Sequence, residues 1–354
     1  MGKRLSAPVG VVGPPGAASL PPQARLLTMT NGLRISHVLY AVTALGIADH
    51  LAQGPLSTSR LAEVAGCAPD PLGRLLRAAA AVGLFERLDG GEWALTPLSE
   101  PLREDAQDSL RDAVLYAGHE MTWRPYGELV NVVRSGGGPA FPQVFGASFY
   151  EYGKTDPAAG ALMNRAMRRL SLTTGHALLD SCDLSRFRCV ADLGGGLGRF
   201  LIEVLKRNPG AKGVLVDRPD VIEQARRALA GVEDARRITF SAGDFFSGVP
   251  SGCDAYVLKS VLHNWDDERA SVILRNVREA IGEDATARLF VFEQLIGPPN
   301  QWDNGAFMDL DMLLKFGGRV RDLQQWRRLL GESGFELDND PRPGAWTVLA
   351  WRPC

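Results

Sequence analysis

VADLGGGLGRF, residues 190–200, is the stretch on which the reading of this chain turns. Apolar and β-branched residues lead up to Asp192, then Gly194, Gly195, Gly196 and Gly198 fall within five positions, and an amphipathic run follows from 197 to 207. That order predicts a strand, a tight turn and a helix. Glycine suits such a turn because it reaches positive φ and lets bare backbone approach a ligand, while the N–H groups opening the helix point at it. The dinucleotide fingerprint G-x-G-x-x-G would need a third glycine where Arg199 stands, so the fit is G-x-G-x-G. Downstream, GVLVD at 213–217 reads as a second strand ending in a carboxylate, the place for a ribose diol. A nucleoside ligand is expected, without need of a pyrophosphate.

From 188 onward, strand and helix patterns alternate. Strands are expected at 188–193, 213–217, 237–242, 253–258 and 287–295, with helices at 197–207, 219–230, 267–281, 305–316 and 322–333. Alternation of this kind predicts an α/β fold: a parallel sheet covered on both faces, with the site at the carboxyl ends of the strands. Two late strands near 335–339 and 345–351 lack a helix between them and predict an antiparallel hairpin at the edge.

The chain of 354 residues is long enough for two domains. Its net charge of −2 offers no electrostatic ground for nucleic acid or an anionic membrane. No apolar run reaches the roughly 18 residues of a membrane span. The cysteines Cys67, Cys182, Cys189, Cys253 and Cys354 are scattered, without C-x-x-C spacing, and read as reduced thiols in a cytoplasm. Residues 1–22 are rich in Pro, Gly and Ala and are expected to form a flexible tail.

Apolar residues recur at helical spacing over 26–51, and Ser57 and Pro69 announce two further helices. A turn at Asp89-Gly90-Gly91 between short β-like runs completes a winged helix-turn-helix pattern over 23–105. Its surface argues against DNA: between 57 and 105 stand five arginines, no lysine and eight acids, the reverse of what phosphate binding needs. The following 106–180 reads as a helical linker containing Trp123, broken at Ser135-Gly136-Gly137-Gly138-Pro139 and ending in a helix with Met163 and Met167 on one face. Residues 181–354 are expected to form the α/β domain that carries the site.

Taken together, DLGGGLG, VDRP after 215, GDFF at 243–246 and LKSVLHNWDDE at 258–268 resemble the class I S-adenosylmethionine-dependent O-methyltransferases of the hydroxyindole, caffeate and bacterial polyketide type. The resemblance covers the chain from about residue 28 onward. It implies a Rossmann-like methyltransferase domain behind an α-helical winged-helix dimerisation domain, a homodimer, and S-adenosylmethionine as cofactor. It implies cofactor contacts at Gly194, Gly196, Asp217 and Arg218, at Gly243, Asp244 and Phe245 around the adenine, at Lys259 and Ser260 after the fourth strand, and at Ser171 and Tyr152 near the methionine end. For a small aromatic substrate of secondary metabolism, it implies contacts at Trp123, Met163, Met167, Asn264, Met308, Asp311 and Met312.

His263 is the candidate catalytic base. A phenol with pKa near ~10 is a poor nucleophile at neutral pH, and an imidazole with pKa near ~6.5 can remove its proton. Such a base needs an orienting partner, and Glu293 occupies the family's position for one. The family usually supplies a second acid where Val320 stands, and an aspartate where Asn264 stands. Asp309 or Asp311 could substitute. These departures keep open a relative that uses the same cofactor for hydroxylation, decarboxylation or rearrangement. A winged-helix regulator binding a small nucleoside is the alternative of another class. No clustered His, Asp or Glu ligand set predicts a metal.

Overall fold

The computed structural model describes residues 20–339, 341 and 346–354, apart from the side chains of residues 168–177. The first nineteen residues of the Pro-rich tail therefore lie outside the described residues, as does the side chain of Ser171. The chain divides into two compact units. One runs to Gly127 and takes in Tyr152–Arg169; the other comprises Glu128–Glu151 and Leu170–Cys354. The stretch expected as a separate linker, 106–180, is shared between them.

In the first unit the apolar run 26–51 is not one helix but three, Pro22–Met29, Gly32–Ala44 and Ile47–Leu51. Periodicity alone does not register the break. Gly46 sits at φ +64°, a left-handed conformation that no continuing helix adopts, and it reverses the chain before Ile47. Helix Thr58–Val64 starts as its sequence predicts, with the Ser57 side chain accepting the Arg60 N–H at 3.2 Å. Helix Pro69–Ala81 begins with proline in its first turn, where the missing N–H costs nothing. Strands β1 (Phe85–Arg87) and β2 (Trp93–Leu95) pair antiparallel across the Asp89–Gly91 turn, forming the wing. Val42, Ile47, Leu51, Leu61, Leu76 and Phe85 close a core beneath it.

The second unit is built on a seven-stranded sheet. Its strands are β3 (Cys189–Leu193), β4 (Lys212–Asp217), β5 (Ile238–Ala242), β6 (Ala255–Lys259), β7 (Arg288–Glu293), β8 (Phe335–Leu337) and β9 (Thr347–Pro353). They lie in the order β5-β4-β3-β6-β7-β9-β8. The first five are parallel, and β9 runs antiparallel to both β7 and β8. Because successive strand residues point to opposite faces, Ala255 and Val257 join Phe290 and Phe292 on one side, against helices Arg199–Arg207 and Pro219–Ala228. Tyr256 and Leu258 join Leu289 and Val291 on the other, against helices Asp267–Ile281 and Leu323–Gly331. Both faces are covered, as a parallel sheet requires, which leaves the carboxyl ends of β3 to β7 as the place for chemistry.

Candidate active site

The glycine turn after β3 has the left-handed backbone its composition predicts. Gly194, Gly196 and Gly198 all have positive φ, at 70°, 58° and 73°. Gly198 is the cap of the helix, so that helix opens at Arg199, two residues later than the amphipathic pattern suggests. At Gly196 a Cβ would meet nothing within 4 Å, so the turn presents bare backbone to open space. Asp217, the last residue of β4, fastens the turn: its Oδ2 accepts the Gly196 N–H at 2.9 Å and its Oδ1 the Arg218 N–H at 2.7 Å. Burial pushes the Asp217 carboxyl above its ordinary value against the pull of those two bonds.

At the end of β5 the Asp244 carboxylate is exposed, with Oδ1 accepting the Phe246 N–H, and Phe245 is half-buried beside it. Gly243 has open space where a Cβ would stand. The donor set fits S-adenosylmethionine: a carboxylate for a ribose diol at Asp217, a carboxylate for an amino group at Asp244, an apolar ring at Phe245, and an unobstructed glycine turn. Ser260, after β6, has φ +58°, unusual for a residue with a side chain, and its N–H donates to the Phe292 carbonyl at 3.0 Å. This strained residue reverses the chain out of the sheet and starts the turn that carries His263.

That turn, Leu262–Asn264, is one turn of 3-10 helix. His263 Nδ1 lies 2.5 Å from Glu293 Oε2, and its backbone N–H faces Glu293 Oε1 at 3.4 Å. Both side chains are buried. A carboxylate only accepts, so Nδ1 carries the proton, and in the neutral imidazole Nε2 is then the acceptor. The two residues come from separate elements, and the parallel pairing of β6 with β7, Lys259 beside Phe292, brings them together. Lys259 lies 5.8 Å from the ring centres of both Phe200 and Trp346; burial lowers its pKa, while Asp192 and Glu293 pull it back.

Of the remaining expected residues, Asn264 donates from Nδ2 to the Tyr150 hydroxyl at 3.2 Å, and Arg218 lies 5.5 Å over the Tyr150 ring. Met308 is half-buried and Met312 buried on helix Asn304–Lys315. Neither candidate substitute acid is idle: Asp309 accepts the Val320 N–H at 2.8 Å, and Asp311 pairs with the buried Lys315 at 3.2 Å. Tyr152, Trp123, Met163 and Met167 belong to the first unit, where Trp123 packs edge-on against His37 and Met167 is exposed.

Sequence reasoning passed over Asp192. Its carboxylate is buried under the turn, with Oδ2 lacking a hydrogen-bond partner among the described residues, and a Cβ on Gly195 would fall 2.5 Å from it. Burial pushes this carboxyl up to about 7, with Lys259 opposing and Asp217 reinforcing the shift. The folded state therefore holds this proton more tightly than the unfolded chain, whose carboxyl titrates near ~4. Between those two values the folded protein binds more protons, so this group makes stability fall as pH rises through the window and adds no further slope above about 7. Asp192→Asn should flatten that decline. Urea unfolding of ligand-free protein at pH 5 and pH 8 checks it, and equal slopes in both proteins would show the shift is absent.

A doubly covered sheet of this strand order, with a glycine turn after its central strand and a carboxylate closing the next, defines a class I methyltransferase domain. Comparisons with known proteins narrow this further. Residues 126–336 match the O-methyltransferase domain and residues 27–105 the O-methyltransferase dimerisation domain. The phenazine O-methyltransferase PhzM of Lysobacter antibioticus is 33% identical over 338 residues, 95% of this chain and 98% of the relative. The 8-amino-8-demethylriboflavin N,N-dimethyltransferase of Streptomyces davaonensis is 36% identical over 332 residues, 93% of this chain and 94% of the relative. Among solved structures, the O-methyltransferase NcsB1 from neocarzinostatin biosynthesis, in complex with S-adenosylmethionine and 2-hydroxy-5-methyl naphthoic acid, superposes with a TM-score of 0.77. It is 31% identical, and the match covers 90% of this chain and 96% of that one. The chain belongs to the S-adenosylmethionine-dependent O-methyltransferase family of bacterial small-molecule enzymes, with the family's dimerisation domain at its N-terminal side.

Proposed function

We propose that this protein transfers a methyl group from S-adenosylmethionine to a hydroxyl of a small aromatic metabolite, with His263 as the base that accepts the hydroxyl proton. The observation that carries the reading is the buried His263–Glu293 pair at 2.5 Å, which fixes the tautomer and leaves Nε2 as acceptor. When bound, the sulfonium supplies an already electrophilic methyl group. Asp217 would hold the ribose, Asp244 and Phe245 the adenine, and the 194–196 turn the backbone side of the cofactor. The chain's work is then alignment, which can contribute ~7–11 kcal/mol, and proton removal, worth about 10²–10⁴ in rate. On the second unit, Asn264, Met308 and Met312 are the proposed substrate contacts, methionine suiting a flat ring because its thioether adapts to shape.

The N,N-dimethyltransferase among the relatives raises an amine acceptor as the second reading. An oriented base favours the hydroxyl, since a neutral aromatic amine is nucleophilic without one. Incubating the protein with labelled S-adenosylmethionine and a panel of phenols and aromatic amines, with mass analysis of products, decides between them. A methyl ether with release of S-adenosylhomocysteine is expected; hydroxylated or decarboxylated products would favour the non-methylating alternative instead.

We also propose a homodimer. Leu26, Leu27, Met29 and Leu33 lie on the first two helices with 58–71% of their surface exposed, in or beside the matched dimerisation domain. Isolated exposed leucines are ordinary, but a cluster of exposed apolar residues on adjoining helices is a recognition surface. Light scattering should give twice the 38.3 kDa chain mass, with an interface above ~2,000 Å² as obligate dimers have. Leu27→Asp with Leu33→Asp should shift the mass toward one chain, and a monomeric native protein at micromolar concentration would refute the assignment. No helix among the described residues is long and apolar enough to cross a membrane.

A further inference from the structure

We infer that Arg321 is a positioning residue for the His263 base, an inference that rests on the reading of His263 given above. Arg321 is fully buried, and all three guanidinium nitrogens are engaged. Nε donates to Asp267 Oδ1 at 2.8 Å, Nη1 to the carbonyls of Leu262 at 3.1 Å and Arg319 at 3.2 Å, and Nη2 to the carbonyl of Trp265 at 3.0 Å. Leu262 and Trp265 bracket the His263–Asn264 pair, so one planar group grips the turn at both ends. The guanidinium lies 5.1 Å over the Trp326 ring, which fixes its plane. A rigid fork of five donors can reach three carbonyls and a carboxylate at once, whereas a lysine ammonium is a point charge on a flexible stem.

The turn needs that grip. A single 3-10 turn has few bonds of its own, here Asn264 N–H to Val261 and Trp265 N–H to Leu262. The segment carrying Arg321 bears on it at two more points. The Arg319 N–H donates to the His263 carbonyl at 2.9 Å, and Gly318 passes so close that a Cβ would lie 2.2 Å from that same oxygen. Val320, buried between them, contributes no carboxylate. The contribution of 318–321 to His263 is thus mechanical: it holds the backbone of the turn, and Glu293 orients the ring. Asp267 anchors the fork. Burial pushes its carboxyl up, but Arg321, Arg319 and Arg328 together hold it below its ordinary value.

The test reads the imidazole directly, so it does not depend on turnover. The chain has five histidines, and ¹⁵N-histidine spectra of the native protein and His263→Ala identify the Nδ1–H resonance, which a 2.5 Å bond to a carboxylate should place far downfield. Arg321→Lys should move that resonance upfield or abolish it. Arg328→Ala, which removes an exposed partner of Asp267 but no contact to the turn, should leave it in place. In turnover, Arg321→Lys should lower kcat about 10–100-fold, the scale of a small misplacement, with the affinity for S-adenosylhomocysteine within about twofold of native. The loss should shrink for phenols of low pKa, which need no base. Should Arg321→Lys not fold, Asp267→Asn loosens the same fork and should shift the resonance in the same direction by less. An unchanged Nδ1–H resonance in a folded variant overturns the inference, as does a kcat loss equal across all phenols and matched by lost cofactor affinity. A native protein that methylates no phenol would instead refute the proposed function, and the spectra would still decide the role of Arg321.

Discussion

Replacing His263 with alanine is expected to lower kcat by about 10²–10⁴ while leaving affinity for S-adenosylmethionine nearly intact. The separation follows from where the side chain sits. His263 is on the turn beyond β6, its Nδ1 held by Glu293, whereas the expected cofactor contacts on this unit are other residues: the 194–196 turn, Asp217, Asp244, and Lys259 and Ser260 just before the turn. Removing the imidazole therefore removes the proton acceptor while leaving each expected cofactor-contacting residue in place. The loss should shrink as the phenol becomes more acidic, because an oxygen already ionised requires alignment only. Glu293→Gln should give a smaller fall of the same kind, since an amide can accept from Nδ1–H but no longer stabilises the imidazolium that forms. Initial rates with a series of phenols of graded pKa, at saturating cofactor, measure both effects. Equal losses across the series would assign His263 to positioning instead.

The elements that proved legible in the sequence are those whose cause is local. The parallel strands could be read from continuous apolar runs because they are buried on both faces, and helix 267–281 from its period; the structure adds its cap, Asp266, whose side chain accepts the Arg269 N–H. Boundaries moved where a distant residue intervenes. β6 opens at Ala255, not at 253, since the Asp254 carboxylate instead binds the N–H groups of Arg188 and Cys189 across the sheet. The helical linker around Trp123, expected to break first at Ser135, is already interrupted by the His119 cap and by Pro125 within a 3-10 turn.

The candidate site divides along the same line. The glycine turn and strand-end Asp217 announce themselves by spacing. The His263–Glu293 contact spans 30 positions and exists because β6 and β7 are neighbours in register, which no local pattern reveals. Arg321 was invisible for a further reason. A buried arginine looks in sequence like any surface arginine, and its role depends on carbonyl groups about 60 positions away, which carry no residue-type signal at all. Asp192 was read only as the end of an apolar run, and its burial under Gly195 appears once the turn folds back over it.

Asp217→Ala should weaken S-adenosylmethionine binding by roughly 1.5–3 kcal/mol, the worth of hydrogen bonds to a charged group, or about 10- to 150-fold in Kd. Two losses combine. A ribose diol would lose its acceptor, and the turn would lose the fastening of the Gly196 N–H at 2.9 Å, loosening a segment whose glycines give it wide backbone freedom. Asp217→Asn should cost less, because its remaining amide oxygen can still accept one of these N–H groups. The signature is the converse of the His263 variant: a raised cofactor KM with kcat largely recovered at saturation, since the base and its partner are untouched. Calorimetric titration with S-adenosylhomocysteine measures the first quantity, and saturation kinetics the second. Unchanged affinity in Asp217→Ala would remove the carboxylate from the cofactor site, whereas lost affinity accompanied by an equal fall in saturated kcat would mean that the turn also aligns the reacting methyl group.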